Sequence, residues 1–370
     1  MFPVRISPWR YARGIKSVLP FPCFHMVLTC MRFSCLAAIL CYNGSIVKGA
    51  AMIFSLGYEW QPCRDGARLL KVYGDSPCPV LPASIEGLPV TQIGPYCFAE
   101  KRHQTGTLSL PDGMEADSLH CICGNFVEEV TLPDTVTVLD SAAFYNCRSL
   151  RRLELGPSCE SIGSDVFINC RSLDCIALRC APSEPSGLKK LIGSISADIN
   201  AEFVADGQIL ARLFFPEYFE FLDENTPAHI FNHSIEGEGY RYRQCFDGAR
   251  LNAAEYDRSF EQACVGETPE KLCRIAMERI RYPYALSPEA RNTYLNYLRS
   301  HVLTALEPYI NVRDLDGLRF ACDLGILDDA SRTAAAEICG QRGFGAGAAL
   351  FLSRGKTARR APKRYSFDDL

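Results

Sequence analysis

The fold is decided by residues 139–155, whose sequence LDSAAFYNCRSLRRLEL returns 23 residues later, in residues 162–178, as IGSDVFINCRSLDCIAL. The coinciding apolar positions pair Leu139, Phe144, Cys147, Leu150, Leu153 and Leu155 with Ile162, Phe167, Cys170, Leu173, Ile176 and Leu178. Further offsets bring Val127, Val130, Leu132, Ile93 and Phe98 into register, and only residues 108–110 are displaced, by one position. A fixed period of this length predicts a stack of structural repeats.

Each copy contains the pattern L-x-L, which is typical of a strand. Its period of two buries both leucines on one face and turns the intervening and flanking side chains outward. Pro111, Pro133 and Pro157 follow these strands, and proline cannot donate to a strand ladder. One such unit cannot bury its own apolar face, so neighbouring units must stack. The pattern therefore predicts a curved solenoid with a parallel-strand ladder.

Segments of the repeat resemble a known family. They are residues 90–94 (VTQIG), 144–150 (FYNCRSL) and 161–173 (SIGSDVFINCRSL). Their motif is similar to the bacterial BspA-type leucine-rich repeat, with a departure at Cys121 and Gly124, where phenylalanine and cysteine are expected. The resemblance implies a protein-interaction scaffold without intrinsic catalysis.

Side chains that flank the inward L-x-L residues form the predicted partner-binding surface, on the concave strand face. They are Thr107, Ser109, Glu129, Thr131, Arg152, Glu154, Cys175 and Ala177. The alternative is that these are only solvated strand positions and that binding uses the convex side or the helices.

The fold class predicted for the whole chain is α and β, multidomain: a parallel-strand leucine-rich-repeat solenoid followed by an all-α, helical-repeat-like bundle. The solenoid occupies residues 52–187 and includes an N-terminal hairpin cap around Arg64-Asp65-Gly66. The helical domain occupies residues 198–353. It begins with the helical spacing of Ile209, Leu210, Leu213 and Phe214 and continues as helices near 268–281, 288–306, 314–324, 329–340 and 344–353.

The two ends of the chain differ from its body. Residues 1–51 hold six Lys or Arg and no acid, and their apolar run resembles a signal or membrane anchor that Arg32 interrupts. Translation beginning at Met52 is the other interpretation, and both leave this segment outside the folded core. Residues 354–370 are basic and are predicted to be a disordered tail, with RNA or an anionic membrane surface as the functional alternative.

Charge and cysteines narrow the function classes. The net charge of −4 gives no nucleic-acid footprint, and membrane association is not expected. Nineteen cysteines without a C-x-x-C spacing predict free thiols, a reducing compartment and no essential disulfide. The predicted location is therefore cytoplasmic, with the cell surface or secretion as the alternative.

Few residues favour catalysis. His229, His233 and Glu236 have the spacing of a metal site on a helix, but residue 230 is Ile, so the hydrolytic H-E-x-x-H form is absent. No catalytic residue, metal or cofactor is predicted. The leading hypothesis is a non-catalytic protein-interaction scaffold whose partner is a protein. A surface-exposed adhesin and, third, a metal-dependent hydrolase are the alternatives.

Overall fold

The structure, a computed structural model, describes residues 56–101, 105–111, 120–225 and 230–356. The described residues, from Leu56 onward, belong to one compact unit. The N-terminal segment 1–51 and the basic tail beyond residue 356, for which the sequence favours a leader or late start and a disordered terminus, lie outside the described residues.

The secondary structure changes from strands to helices along the chain. The strands are β1 (Gly57–Cys63), β2 (Gly66–Tyr73), β3 (Ser84–Ile85), β4 (Leu88–Ile93), β5 (Thr107–Ser109), β6 (Glu129–Thr131), β7 (Val138–Leu139), β8 (Arg152–Leu155), β9 (Ser161–Ile162), β10 (Cys175–Leu178), β11 (Ile199–Ala205), β12 (Gln208–Phe215), β13 (Phe219–Asn225), β14 (Ile230–Glu236), β15 (Phe246–Asp247) and β16 (Arg250–Leu251). The helices are α1 (Leu188–Gly193), α2 (Gly239–Tyr242), α3 (Ala253–Gly266), α4 (Pro269–Arg281), α5 (Pro288–Ser300), α6 (Val302–Asn311), α7 (Leu315–Asp323), α8 (Asp329–Gln341) and α9 (Gly345–Lys356).

The repeat forms a solenoid with two sheets, because each 23-residue copy contributes a short strand to one sheet and an L-x-L strand to the other. The first sheet has the order β5-β1-β2-β4-β7-β9, with β3 on β4, and the second has the order β12-β11-β10-β8-β6. Leu139 pairs with Ile162 in the first, and Leu153 pairs with Ile176 in the second, both in parallel. The register predicted from the sequence is confirmed.

Phenylalanine side chains from successive repeats stack in a column inside the solenoid. The ring centroids of Phe98 and Phe144 are 4.9 Å apart, and those of Phe144 and Phe167 are 5.7 Å apart. All three side chains are buried. Aromatic stacking adds to the burial of apolar surface, so this column is a major source of cohesion between repeats.

An antiparallel hairpin closes one end of each sheet. The predicted cap β1–β2 is confirmed, and its second strand pairs in parallel with β4. At the other end of the second sheet β11 pairs in parallel with β10, and β12 returns antiparallel to β11. The prediction that the chain becomes helical from residue 198 is therefore wrong, because residues 199–251 contain six strands.

The error has a local cause. In the pairing of β11 with β12, a β-bulge between Phe203 and Val204 leaves Leu210 of β12 without a partner residue on β11, and Leu210 is exposed. The extra residue interrupts the period of two, so that the apolar positions on either side of it imitate helical spacing. The turn between β11 and β12 is Asp206-Gly207, both with positive φ, which is a strong hairpin signal.

Helices dominate from Ala253 onward, close to the predicted boundaries. Predicted helix 288–306 is instead two helices, α5 and α6, separated by His301. The Ser287 hydroxyl accepts from the Ala290 N–H at the start of α5, and Asp328 and Ser331 form a capping box at the start of α8. Helix α4 packs on β12, and one continuous hydrophobic core runs from the solenoid into the helices.

Arg243 lies at the junction between the strands and the helices. Its buried guanidinium donates to the carbonyl groups of Ile192, Ile195, Pro216, Ala197 and Gly239. Burial lowers the pKa of Arg243 to about 10. One side chain thus joins the end of α1, the loops beside β11 and β12, and α2.

Candidate functional site: the outer strand face

The second sheet has an inner face in the core and an outer face that carries polar side chains. In β8, Leu153 and Leu155 are fully buried, whereas Arg152 and Glu154 point outward and are half-buried. Strand register places Glu129, Arg152 and Cys175 in one row and Thr131, Glu154 and Ala177 in a second. Six of the eight predicted binding residues therefore lie side by side, on what we call the outer strand face.

Thr107 and Ser109 do not belong to this face, so their assignment to it is wrong. Strand β5 pairs antiparallel with β1 in the first sheet, where Tyr58 is opposite Ser109. The indole N–H of Trp60 donates to the Ser109 hydroxyl at 2.9 Å, and Leu108 is 42% exposed. The one-residue displacement of this L-x-L unit indicates that it has left the repeat register.

Both rows continue onto the closing hairpin β11–β12. Cys175 pairs with Asn200 and Ala177 with Glu202, while Asn200 and Glu202 pair in turn with Phe214 and Arg212. The outer strand face thus extends beyond the residues predicted from the repeat. The additional members of the face follow from the strand register once the Asp206-Gly207 turn is recognised, and they are Asn200, Glu202, Arg212 and Phe214.

Glu202 is the centre of an ion-pair network on the outer strand face. Its side chain is only 2% exposed and accepts from Arg152 Nη1 at 2.5 Å and from the Arg212 guanidinium. Burial alone would raise the pKa of the Glu202 carboxyl, but the two guanidinium groups outweigh it and hold that pKa below its ordinary value. Arg212 also lies 3.5 Å from Glu278 of α4. These contacts connect the repeat strands to the helices.

Helix α4 covers the C-terminal part of the outer strand face. Phe214 is fully buried, and the Arg274 guanidinium lies 4.1 Å from the centre of its ring. Lys271 of the same helix pairs with Glu217 at 2.9 Å, and a cavity of about 310 Å³ remains between this helix, Asp198 and Phe214. We call Cys175, Ala177, Asn200, Glu202, Arg212 and Phe214 the covered half.

Cys175 and Ala177 lie in the covered half, which contradicts their predicted role on an accessible surface. Ala177 has no exposed area, and Cys175 is 7% exposed with its sulfur 3.2 Å from Arg152 Nη1. The repeat pattern alone cannot show this, because the long side chains beside these two residues include Glu202 and Arg212 of the closing hairpin, which follows the repeat. Both residues have small side chains, which leave room for the longer side chains of Arg152 and Glu202 to pack beside them.

The remaining residues, Glu129, Thr131, Arg152 and Glu154, form the open half. All four are half-buried, and the three charged side chains are in ion pairs. Arg151 donates to Glu128 at 2.8 Å, and Arg179 contacts Glu154 at 3.1 Å as well as Asp134. The open half therefore presents alternating charges that stay accessible to solvent.

The histidines considered for a metal site lie elsewhere. His233 and Glu236 belong to strand β14, not to a helix, and the His233 Nε2 atom is 3.4 Å from Glu220 Oε2. His229 lies outside the described residues. Within the residues that the structure describes, no group of three or more His, Cys, Asp or Glu could hold a metal ion, and the cysteines are free thiols.

The two-sheet solenoid has the architecture of a leucine-rich-repeat region, and the comparison with known families agrees for this part of the chain. Residues 84–183 match the family described as BspA type Leucine rich repeat region, in six copies. The resemblance stated from the sequence is confirmed for this region. No curated protein matches the chain.

Two solved structures are similar to the chain. One is a leucine rich cell surface protein from Faecalibacterium prausnitzii A2-165, with 26% identity, 33% of this chain and 30% of that chain covered, and a TM-score of 0.23. The other is a leucine rich repeat protein of T. pallidum, with 22% identity, 35% of this chain and 72% of that chain covered, and a TM-score of 0.20. The chain spans less than a third of the length of the first. Among the described helices, none is both long and apolar enough to cross a membrane.

Proposed function

We propose that this protein is a non-catalytic scaffold that binds another protein through the open half of the outer strand face. The observation that carries the proposal is the register of Glu129 beside Arg152 and Thr131 beside Glu154, which aligns accessible polar side chains across adjacent strands. A partner crossing these strands would meet both signs of charge within a small area, which favours specific recognition.

The chemistry of the face supports binding more than catalysis. Its carboxylates and guanidinium groups neutralise one another in pairs, whereas a catalytic site directs its polar groups toward a common point. The leucine-rich-repeat architecture supports the same proposal, because a stack of repeats provides an extended surface for a partner.

Affinity capture with the full chain tests the proposal. Glu129→Lys and Thr131→Arg change the open half at positions remote from Glu202, and we expect both to weaken capture of the same partners, most strongly at low salt. Arg291→Glu, on an exposed position of α5, is the control and should retain them. Loss of the partners in the Arg291 variant alone would place the interaction on the helices and refute the proposal.

Arg152→Glu is unsuitable for this test. Arg152 already pairs with the buried Glu202, so the reversal would place two carboxylates together and destabilise the closing hairpin. A loss of capture would then report unfolding rather than a lost contact.

The alternative is an adhesin at the cell surface. The F. prausnitzii structure is described as that of a cell surface protein, with which this alternative is compatible. The cytoplasmic location predicted from the sequence has no support from the comparisons. Determination of the mature N-terminus in the native host discriminates between the two, because a chain that starts at Met52 would lack the basic and apolar segment proposed to deliver an adhesin.

A further inference from the structure

The turns of successive repeats form a second hydrogen-bonded stack, away from the outer strand face. The N–H groups of Ala142, Phe144 and Asn146 donate to carbonyl groups one repeat later, at 2.9, 3.1 and 2.9 Å. Their acceptors are the carbonyl oxygens of Ser164, Val166 and Ile168. One turn therefore binds the next through backbone groups at alternate residues.

The last turn of this stack has no such neighbour. The equivalent N–H groups are those of Asp165, Phe167 and Asn169, and none of them has an acceptor in the part of the chain that the structure describes. The chain leaves the repeat where the next carbonyl row would lie and enters α1 instead. An unpaired row of backbone donors is a template for another polypeptide segment.

A groove provides the room for such a segment. It has a volume of about 560 Å³ and lies between residues 163–173 of the last repeat and residues 194–197. Asp165, Ile168 and Asn169 are exposed on one wall, and Ser196 and Ala197 are exposed on the other. We call this groove the open turn.

Side chains at the open turn show what the missing neighbour would contribute. Asn169 Nδ2 donates to Asn146 Oδ1 at 2.7 Å, and the Ser164 hydroxyl contacts that of Ser141 at 3.3 Å. Each pair joins residues 23 positions apart in adjacent repeats, so an incoming amide could in the same way donate to the Asn169 Oδ1 atom. Asn146 and Asn169 both have positive φ, near 60°.

We propose that the open turn binds a segment of another protein that adopts the same repeat turn and presents three carbonyl groups at alternate residues. The last turn already presents three such carbonyl groups to residues 142–146, so we take its backbone conformation as that of the partner segment. A folded second copy of this chain does not offer its own last turn for this purpose, since the Ser164, Val166 and Ile168 carbonyls already accept from residues 142–146. The proposal concerns a surface separate from the outer strand face, and either can fail without the other.

Amide hydrogen exchange of the full chain, followed residue by residue, tests the proposal. In the free protein, the amides of Asp165, Phe167 and Asn169 should exchange faster than those of Ala142, Phe144 and Asn146, which are already bonded. The probe is a synthetic peptide with the sequence of residues 161–173, SIGSDVFINCRSL, kept reduced. Its addition should slow the first three amides at least about fivefold, the effect of one modest hydrogen bond, and a scrambled peptide should not.

Two glycine variants provide the matched comparison. Asn169→Gly removes the amide at the open turn, and Asn146→Gly removes its counterpart inside the stack, while glycine tolerates the positive φ at both positions. The Asn169 variant should bind the peptide more weakly, and the Asn146 variant should bind it as the natural chain does. Filling the groove with Ser196→Tyr should abolish binding. Equal exchange rates of the two amide sets in the free protein, or no protection by the peptide, would overturn the proposal.

Discussion

The covered and open halves of the outer strand face have the same backbone register but different surroundings. The row that starts at Glu129 ends at Phe214, and the row that starts at Thr131 ends at Arg212. At that end of both rows, α4 packs on β12. Charges in the open half are accessible, whereas Glu202 in the covered half is buried between two guanidinium groups. The comparison shows that a strand position acquires its role from what packs on it, and that the repeat motif alone does not determine this role.

The largest expected effect that separates the two halves comes from removing the aromatic ring under α4. Phe214→Ala should lower the free energy of unfolding by about 3–5 kcal/mol, because a fully buried ring is replaced by a cavity. Urea unfolding measures this loss. A change below about 1 kcal/mol, within the range of an ordinary single mutation, would mean that α4 does not hold the covered half closed.

Loss of the buried carboxylate should have the next largest effect. Glu202→Gln keeps the shape of the side chain but removes the charge that Arg152 and Arg212 share, and a hydrogen bond to a charged group contributes about 1.5–3 kcal/mol. Urea unfolding at neutral pH gives the value. Glu154→Gln, with a side chain that is 27% exposed in the open half, is the control, and a loss as large as that of Glu202→Gln would remove the distinction between the halves.

Acid should weaken the covered half through the same carboxylate. Because the folded pKa of Glu202 lies below its unfolded value, its contribution is present above the unfolded pKa of about 4.3 and is lost as the pH falls through the lower folded pKa. Denaturant unfolding of the natural chain and of Glu202→Gln should therefore converge below about pH 4. A stability difference that does not shrink in acid would contradict the assigned charge.

The smallest effect is expected in the open half. Glu129→Ala should change the free energy of unfolding by at most about 0.5 kcal/mol, as surface substitutions usually do. Its effect should appear instead in capture of the partner. Thermal unfolding checks the first point, and a large destabilisation would show that this half, too, is structural.

Two hairpins whose sequences contain Asp-Gly show how much of the fold the sequence could predict. In the first, Arg64 and Asp65 form the turn and Gly66 begins β2, so the segment Arg64-Asp65-Gly66 predicted β1–β2 correctly. The second hairpin has Asp206-Gly207 as its turn, but the bulge at Leu210 breaks the alternation of apolar residues and gives them a helical spacing. The strand register of the repeat could be predicted without identifying any turn, because the same apolar positions recur in each copy.

The sequence predicted only part of the candidate site. Four of the predicted residues, Glu129, Thr131, Arg152 and Glu154, lie together on the open half as the L-x-L spacing indicates. Burial of Cys175 and Ala177 depends on elements that follow the repeat, and Glu202 becomes their neighbour only through the pairing of β11 with β10. Local periodicity gives the direction of a side chain, while long-range packing decides whether that side chain is accessible.

The two closing hairpins have an evolutionary consequence. Each lies at a different end of a different sheet, and within residues 129–178 the paired strand residues are 23 positions apart. A duplication or deletion of one whole 23-residue unit within residues 139–178 would preserve the strand register on both sides. Genes of this design can therefore lengthen or shorten their protein in steps of one unit, whereas an insertion of any other length would shift the register of everything that follows.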